Sequence, residues 1–258
     1  VSKVLIRPIT LIACVLYGVL ALAETPIPAS VAPTLERAVS AHGGSALENL
    51  RTYREDYVIN ATVLGVGVYN FRVKASVDFA GRRGRLEFFN NGSLESIYQT
   101  TPQATQTWSK KDGLKPADAT LTPKAGEPFT FSTPIKAGVL GLLAIGKTRD
   151  EKLFYDASLE VQGVKGPAIQ REGKRYVVTY VFGADGTLDV EKSVFTNDKG
   201  EKSEFTLVYD KFKTVNGVKI PVGGAIYSSQ IPGFASAKLE VTDVDVNPSF
   251  EASDFKMP

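Results

Sequence analysis

Cysteine, histidine, methionine and tryptophan each occur once in the 258 residues. The cysteine, Cys14, lies in an apolar N-terminal run, so a chain cleaved beyond it has no disulfide, no thiolate nucleophile and no Cys-based metal site. The lone histidine, His42, has no second imidazole or thiol with which to share a metal. No motif near it supplies the nucleophile or orienting acid that a general base needs. His42 instead sits at a predicted helix end just before Gly43-Gly44, where its ring would meet the last carbonyls. Also missing are a phosphate-binding G-x-x-x-x-G-K-[ST], a strand-to-helix G-x-G-x-x-G and a nucleophile elbow G-x-S-x-G. The carboxylates read as scattered on polar strand faces. Asp243 and Asp245 share one such face without a calcium-loop pattern around them. No catalytic residue, metal or cofactor is expected.

Charge of one sign is lacking too. Lys and Arg number 30 against 28 Asp and Glu, and without a basic block there is no electrostatic ground for nucleic-acid binding. Two of those basic residues, Lys3 and Arg7, precede an apolar run from Ile9 to Ala23 that ends in Ala21-Leu22-Ala23. This is the pattern of a secretory signal peptide over residues 1–23, cleaved before Glu24. Leu11-Ile12-Ala13-Cys14 has the form of a lipobox, but a cut there leaves only about six apolar residues upstream, fewer than the usual core of roughly 7 to 15. Cleavage after Ala23 is therefore expected over lipidation of Cys14. The remaining chain of about 235 residues is long enough to build its own core.

What the sequence does contain is alternation. Pro33 in a first turn, Leu35, Ala38 and Val39 at helical spacing and Gly43 as a stop predict a helix, and Ser45 with Glu48 predicts a second short one opened by a capping box. From there the period becomes two. Tyr69, Phe71, Val73, Ala75, Val77 and Phe79 alternate with Asn70, Arg72, Lys74, Ser76 and Asp78, which places an apolar and a polar row on opposite faces of one strand. Further strands are predicted at 56–64, 84–90, 93–100, 103–110, 152–164, 175–182, 188–196, 204–214, 218–222, 225–231 and 237–246. Turns such as Asn90-Asn91-Gly92 and Asn216-Gly217 separate some of them. Short connections between adjacent strands predict an antiparallel meander. A Pro-, Gly- and Lys-rich loop from Asp112 to Pro128 interrupts it, and Lys110, Lys111 and Lys115 form a small basic cluster near Trp108, read as a solvated loop with contact to lipid headgroups as the alternative.

The segment TPIKAGVLGLLAIGK, Thr133 to Lys147, departs from this pattern. Thr133 would cap a helix entered at Pro134, and Val139, Leu140, Leu142, Leu143 and Ile145 surround most of its circumference. It is too short to span a bilayer, which needs roughly 20 apolar residues. Two readings stand: an ordinary buried core helix, or an apolar lid, which Gly138 and Gly141 favour by weakening the helix by about 1 kcal/mol each.

With "AHGGSALENLRTYRE", the long antiparallel strands, the apolar mid-chain segment, "VNGVKIPVGGAIYSS" and the closing "LEVTDVDVNPSFEASDFKMP", the chain resembles the LolA/LppX-like superfamily of periplasmic lipid and lipoprotein carriers. The resemblance implies a mainly β (α+β) fold, a curved antiparallel sheet forming an incomplete, half-open β-barrel covered by N-terminal and mid-chain helices. It implies one domain over residues 24–258, a periplasmic location, a monomer, no catalytic residues and no cofactor. It also implies a lipid or lipidated protein as partner, alongside inner- or outer-membrane proteins. The expected ligand-binding residues are Tyr69, Phe71, Val73, Val77, Leu86 and Phe88 as floor and Val139, Leu140, Leu142, Leu143 and Ile145 as lid. The alternative is a protein interaction or stress-sensing module of the same fold, its cavity filled by its own side chains.

Overall fold

The computed structural model describes residues 26–63, 67–116, 137–147, 151–196, 200–228 and 234–258. Helices α1 (Ala32–Ala41) and α2 (Ser45–Glu48) precede six strands: β1 (Thr52–Val63), β2 (Gly67–Asp78), β3 (Arg83–Asn90), β4 (Ser93–Thr100), β5 (Thr105–Ser109) and β6 (Gly113–Pro116). Helix α3 (Gly138–Ala144) leads into seven more: β7 (Lys152–Val161), β8 (Val164–Gly173), β9 (Tyr176–Phe182), β10 (Leu188–Thr196), β11 (Lys202–Val215), β12 (Val218–Ser228) and β13 (Phe234–Val246). A 3-10 turn, Ala252–Phe255, closes the chain.

All thirteen strands form one antiparallel sheet in the order β6-β5-β4-β3-β2-β1-β13-β12-β11-β10-β9-β8-β7. Two meanders meet where β1 pairs with β13, from Tyr53↔Val246 to Val63↔Phe234. Among the described residues the terminal strands β6 and β7 do not pair, so the sheet curves without closing. The two-residue turns Asn91-Gly92, Gln162-Gly163 and Asn216-Gly217 all have positive φ at both residues, the geometry whose twist matches that of the flanking strands.

Period-two alternation sorts the side chains as expected. Val73, Val77 and Leu86 on β2 and β3 join Tyr57, Ile59, Leu207, Ile226 and Leu239 in the main core, on the concave side. On the opposite face, Arg72 forms an ion pair with Asp56 and lies over Phe89. The chain end crosses that same face. Asn247 accepts from the Arg51 and Thr52 amides, Phe250 meets Phe255 edge-on at 5.2 Å, and Arg85 donates to the Lys256 carbonyl at 2.9 Å.

Four local expectations need correction. The capping box at Ser45 does not form, because Gly44 occupies the cap position and Ser45 is already helical. β8 was not expected, since Gly166 and Pro167 break its alternation and Gln162-Gly163 is a weak turn signal. β6 lies inside what reads as a loop; the remainder of that loop, Ala117 to Pro128, and the Thr133 and Pro134 helix start fall outside the described residues. The predicted strands 218–222 and 225–231 are a single β12, because Gly223 and Gly224 mark an irregularity opposite Tyr209 and Lys211, not a turn.

His42 joins the helices to the sheet. It is fully buried, its Nδ1–H donates to the Lys219 carbonyl at 2.5 Å, and its Nε2 accepts from the Leu188 amide at 2.9 Å. The ring meets one carbonyl and one amide of the sheet, not the carbonyls of its own helix as expected, and the amide donor requires it to be neutral. Burial is the chief cause of a pKa below the ordinary histidine value; the Lys219 ammonium adds to it, against the Lys219 carbonyl and Asp185. The stabilising neutral form is complete above the unfolded value of about 6.5, and its contribution falls as pH drops through it by up to about 1.4 kcal/mol per pH unit. Urea unfolding between about pH 7.5 and about pH 5.5 should therefore show a midpoint that falls in the wild type and a flatter slope in His42→Gln. Equal slopes would remove this role.

Candidate functional site

The concave face is the candidate site because the two predicted groups of ligand-binding residues meet there. Val73, Val77 and Leu86 are buried in one cluster with Val139, Leu142 and Ile145 of the α3 segment. Phe71, Phe88, Leu140 and Leu143 are partly buried against it. Tyr69 is the outermost member, stacked on Phe71 with centroids 6.1 Å apart and planes at 10°. On β9, a strand apolar on both faces, Tyr176, Val178, Tyr180 and Phe182 belong to this cluster, while Val181 packs in a second one with Ala168 and Val190.

Helix α3 lies on this face against β10 and β12 and touches α1 and α2. Its N-terminus is held by a strand side chain. Glu191 on β10 accepts from the Ala137 and Gly138 amides, one to each carboxylate oxygen, both at 2.8 Å, and from the Tyr209 hydroxyl at 3.0 Å. A carboxylate at a helix start meets amides with no partner inside the helix and the positive end of its dipole. The glycines have positional reasons of their own. Gly138 has φ of 54°, and a Cβ on Gly141 would stand 2.4 Å from the Tyr180 hydroxyl, so Gly141 lets α3 approach β9 closely.

The face is less apolar than expected. The reading of carboxylates as scattered on polar faces fails for Glu55, Glu151 and Glu191, which are 5%, 3% and 1% exposed. Arg171 Nε reaches Glu151 Oε1 at 2.7 Å, Tyr176 donates to the same oxygen at 2.6 Å, and Arg171 Nη1 lies 3.4 Å from the Tyr180 hydroxyl. Burial opposes the charge on Arg171, but Tyr180, Glu151 and Tyr176 outweigh it and raise its pKa. Burial, with Glu191 beside it, likewise raises Tyr209, and burial with Glu55 raises Tyr53, so both phenols stay protonated donors at neutral pH. A buried charge is tolerated only when paired and hydrogen-bonded, and these groups supply one another. One signal was present in the sequence: Glu191 has the same strand parity as Phe195, a core residue.

The arrangement positions the backbone at the start of α3. Its testable consequence concerns α3. Glu191→Ala strands two amides and a hydroxyl and should cost about 2 to 4 kcal/mol. Hydrogen exchange followed by mass spectrometry should show faster exchange over residues 137–147 with the β1 and β13 amides still protected. Uniformly faster exchange would contradict a specific hold on α3.

No protein-family model and no curated protein matches the chain. Among solved structures it is similar to a DUF1329 family protein from Desulfovibrio piger, with a TM-score of 0.55 and 8% identity over 88% of this chain and 97% of that one. It is equally similar to a LolA superfamily protein from Nitrosomonas europaea, with a TM-score of 0.55 and 10% identity over 89% of this chain and 99% of that one. Mycobacterium tuberculosis lipoprotein LppX also matches, at a TM-score of 0.27, too low to weigh. At these identities the likeness concerns fold alone. At a TM-score of 0.55 over most of each chain the protein shares its overall fold with these two structures, and its unclosed antiparallel sheet is LolA-like in fold.

Proposed function

We propose that the protein is a non-enzymatic carrier or binding protein of the cell envelope that shelters a lipid, a lipoprotein acyl chain or another hydrophobic ligand on the concave face of its sheet. The observation that carries this reading is α3. A seven-residue helix with two glycines, held at its start by one side chain, covers a wall formed by the core of the sheet. So short a helix is not stable by itself. Its place is taken by an apolar chain when α3 withdraws, and the floor residues Tyr69, Phe71, Val73, Val77, Leu86 and Phe88 then face the ligand, with Val139, Leu140, Leu142, Leu143 and Ile145 folding over it.

Energetics suit a carrier. At about 25 cal/mol per Å², covering ~300 Å² of acyl chain yields several kcal/mol before ordering costs, enough to hold a lipid and still release it. The signal-peptide pattern of residues 1–23 supports a periplasmic site of action, with lipidated proteins and membrane proteins as donors or acceptors for a monomer. Among the described residues no helix is long and apolar enough to cross a membrane.

One observation favours the alternative interaction module. Tyr53, Tyr57, Tyr98, Tyr180 and Phe182 are fully buried in the structure, so the chain's own side chains fill much of the hollow. A reporter tryptophan separates the two. With Trp108→Phe and Phe88→Trp, a nitroxide-labelled fatty acid should quench the tryptophan at micromolar concentration, and lipid extraction of purified wild-type protein should release a bound acyl species. Empty protein and an unquenched reporter would leave the interaction module.

A further inference from the structure

The surface beneath α3 carries polar groups that shelter for an acyl chain does not account for. Glu191 on β10 stands directly opposite Tyr180 on β9, and its carboxylate accepts from the Tyr209 hydroxyl and from the Ala137 and Gly138 amides. Gly141 of α3 faces the Tyr180 hydroxyl, which lies 3.4 Å from Arg171 Nη1. Arg171 in turn donates to Glu151 Oε1 at 2.7 Å. A row of neighbouring polar groups thus crosses the concave face from Tyr209 on β11, through Glu191, Tyr180 and Arg171, to Glu151 at the start of β7.

Acceptors outweigh donors along this face. Among the described residues its buried charged side chains are Glu55, Glu151 and Glu191 against Arg171. Glu55 belongs here because it pairs with Ala75 and Val244 of the main core. Glu151 Oε1 receives both Arg171 Nε and the Tyr176 hydroxyl, while Oε2, in a side chain with no exposed surface, has no hydrogen-bond partner among the described residues. A buried acceptor without a donor is costly. Glu191 comes closer to that condition whenever α3 leaves, because two of its donors are amides at the start of that helix.

The next step rests on the carrier reading, in which α3 withdraws as ligand enters. We propose that the ligand's polar head then takes the place of the Ala137 and Gly138 amides on Glu191, so that the protein selects amphiphiles whose head bears amide N–H donors. The acyl chain of such a ligand lies toward Val73, Val77 and Leu86. Two amide N–H groups, each 2.8 Å from a carboxylate oxygen, are the template for the contact. A head without donors leaves a buried acceptor unpaired, which discriminates more strongly than a missing methylene does. An anionic head is repelled by the carboxylate, and a fatty acid binds with its own carboxylate turned away from Glu191. Five strand spacings of about 4.8 Å separate β10 from β2, roughly 24 Å along the sheet, so a ligand that reaches both sides is elongated.

Displacement of the nitroxide-labelled fatty acid from the Trp108→Phe, Phe88→Trp protein tests this. Two uncharged probes of one chain length are compared: N-dodecanoylglycinamide, which carries N–H donors, and methyl dodecanoate, which carries none. Partition into an apolar site alone favours the ester, so preference for the amide reports contact with its head. The amide should displace the label at roughly tenfold lower concentration than the ester. With Glu191→Gln added, the two probes should act within about twofold of each other, because Gln offers one acceptor oxygen and a competing NH2. The ratio is the readout, since a looser α3 admits both probes alike, and the ratio in the parent protein decides even where the variant does not fold. Equal displacement by the two probes in the parent protein, or a preference unchanged by Glu191→Gln, would overturn the inference and leave the carrier reading in place. A labelled fatty acid that fails to bind would instead remove the carrier reading, and this inference with it.

Discussion

A curved sheet that does not close has to cover its concave face with something other than itself. Here β6 and β7 stay apart among the described residues, and the cover is made by α1, α2 and α3. The first two are fixed by the neutral ring of His42, which bonds backbone groups of Lys219 and Leu188 from inside the core. The third is fixed by the carboxylate of Glu191. One attachment is a pair of bonds to backbone at the end of the sheet, the other a buried charge that must itself be kept satisfied. Both depend on the same continuous sheet, because β1–β13 pairing brings the two meanders together beneath them.

The buried polar groups carry the tension in this design. Acyl chains are sheltered best by hydrocarbon, yet Glu191, Glu151, Arg171 and several tyrosines lie in the hollow's lining. They sit mainly on β8 to β11, while β2 and β3 contribute Val73, Val77 and Leu86. The lining is thus more polar toward β8 to β11 and more apolar toward β2 and β3, and Val139, Leu142 and Ile145 of the α3 segment share one cluster with the apolar side. A partly satisfied polar network is costlier than none, so withdrawal of α3 leaves Glu191 needing new donors, which limits how freely the cover moves.

Much of this was legible in the residues. The alternation Tyr69 to Phe79 placed β2 and its faces correctly because one face is buried and the other meets water. Asn216-Gly217 specified its turn by the positive φ it tolerates. The apolar segment from Val139 to Ile145 was recognised as needing cover, and it meets the predicted floor in one cluster. Illegible were features decided by partners distant in sequence. Glu191 shares its strand parity with the core residue Phe195, but its role is set only when α3, more than fifty positions earlier, brings two amides to it. Gly141 reads as a helix weakness until Tyr180 is placed against it. β8 was hidden because Gly166 and Pro167 carry no alternation, though Gly166 is fitted to the close approach of the Phe182 carbonyl.

In the carrier proposed above, α3 and an apolar ligand compete for one surface of the LolA-like half-barrel. Spin labels at Lys147, just beyond α3, and at Lys213, on the exposed part of β11, would report this directly as a distance distribution with and without a fatty acid. Displacement of α3 by bound ligand should lengthen and broaden that distribution. A narrow distribution, unchanged while the fatty acid is demonstrably bound, would contradict the claim.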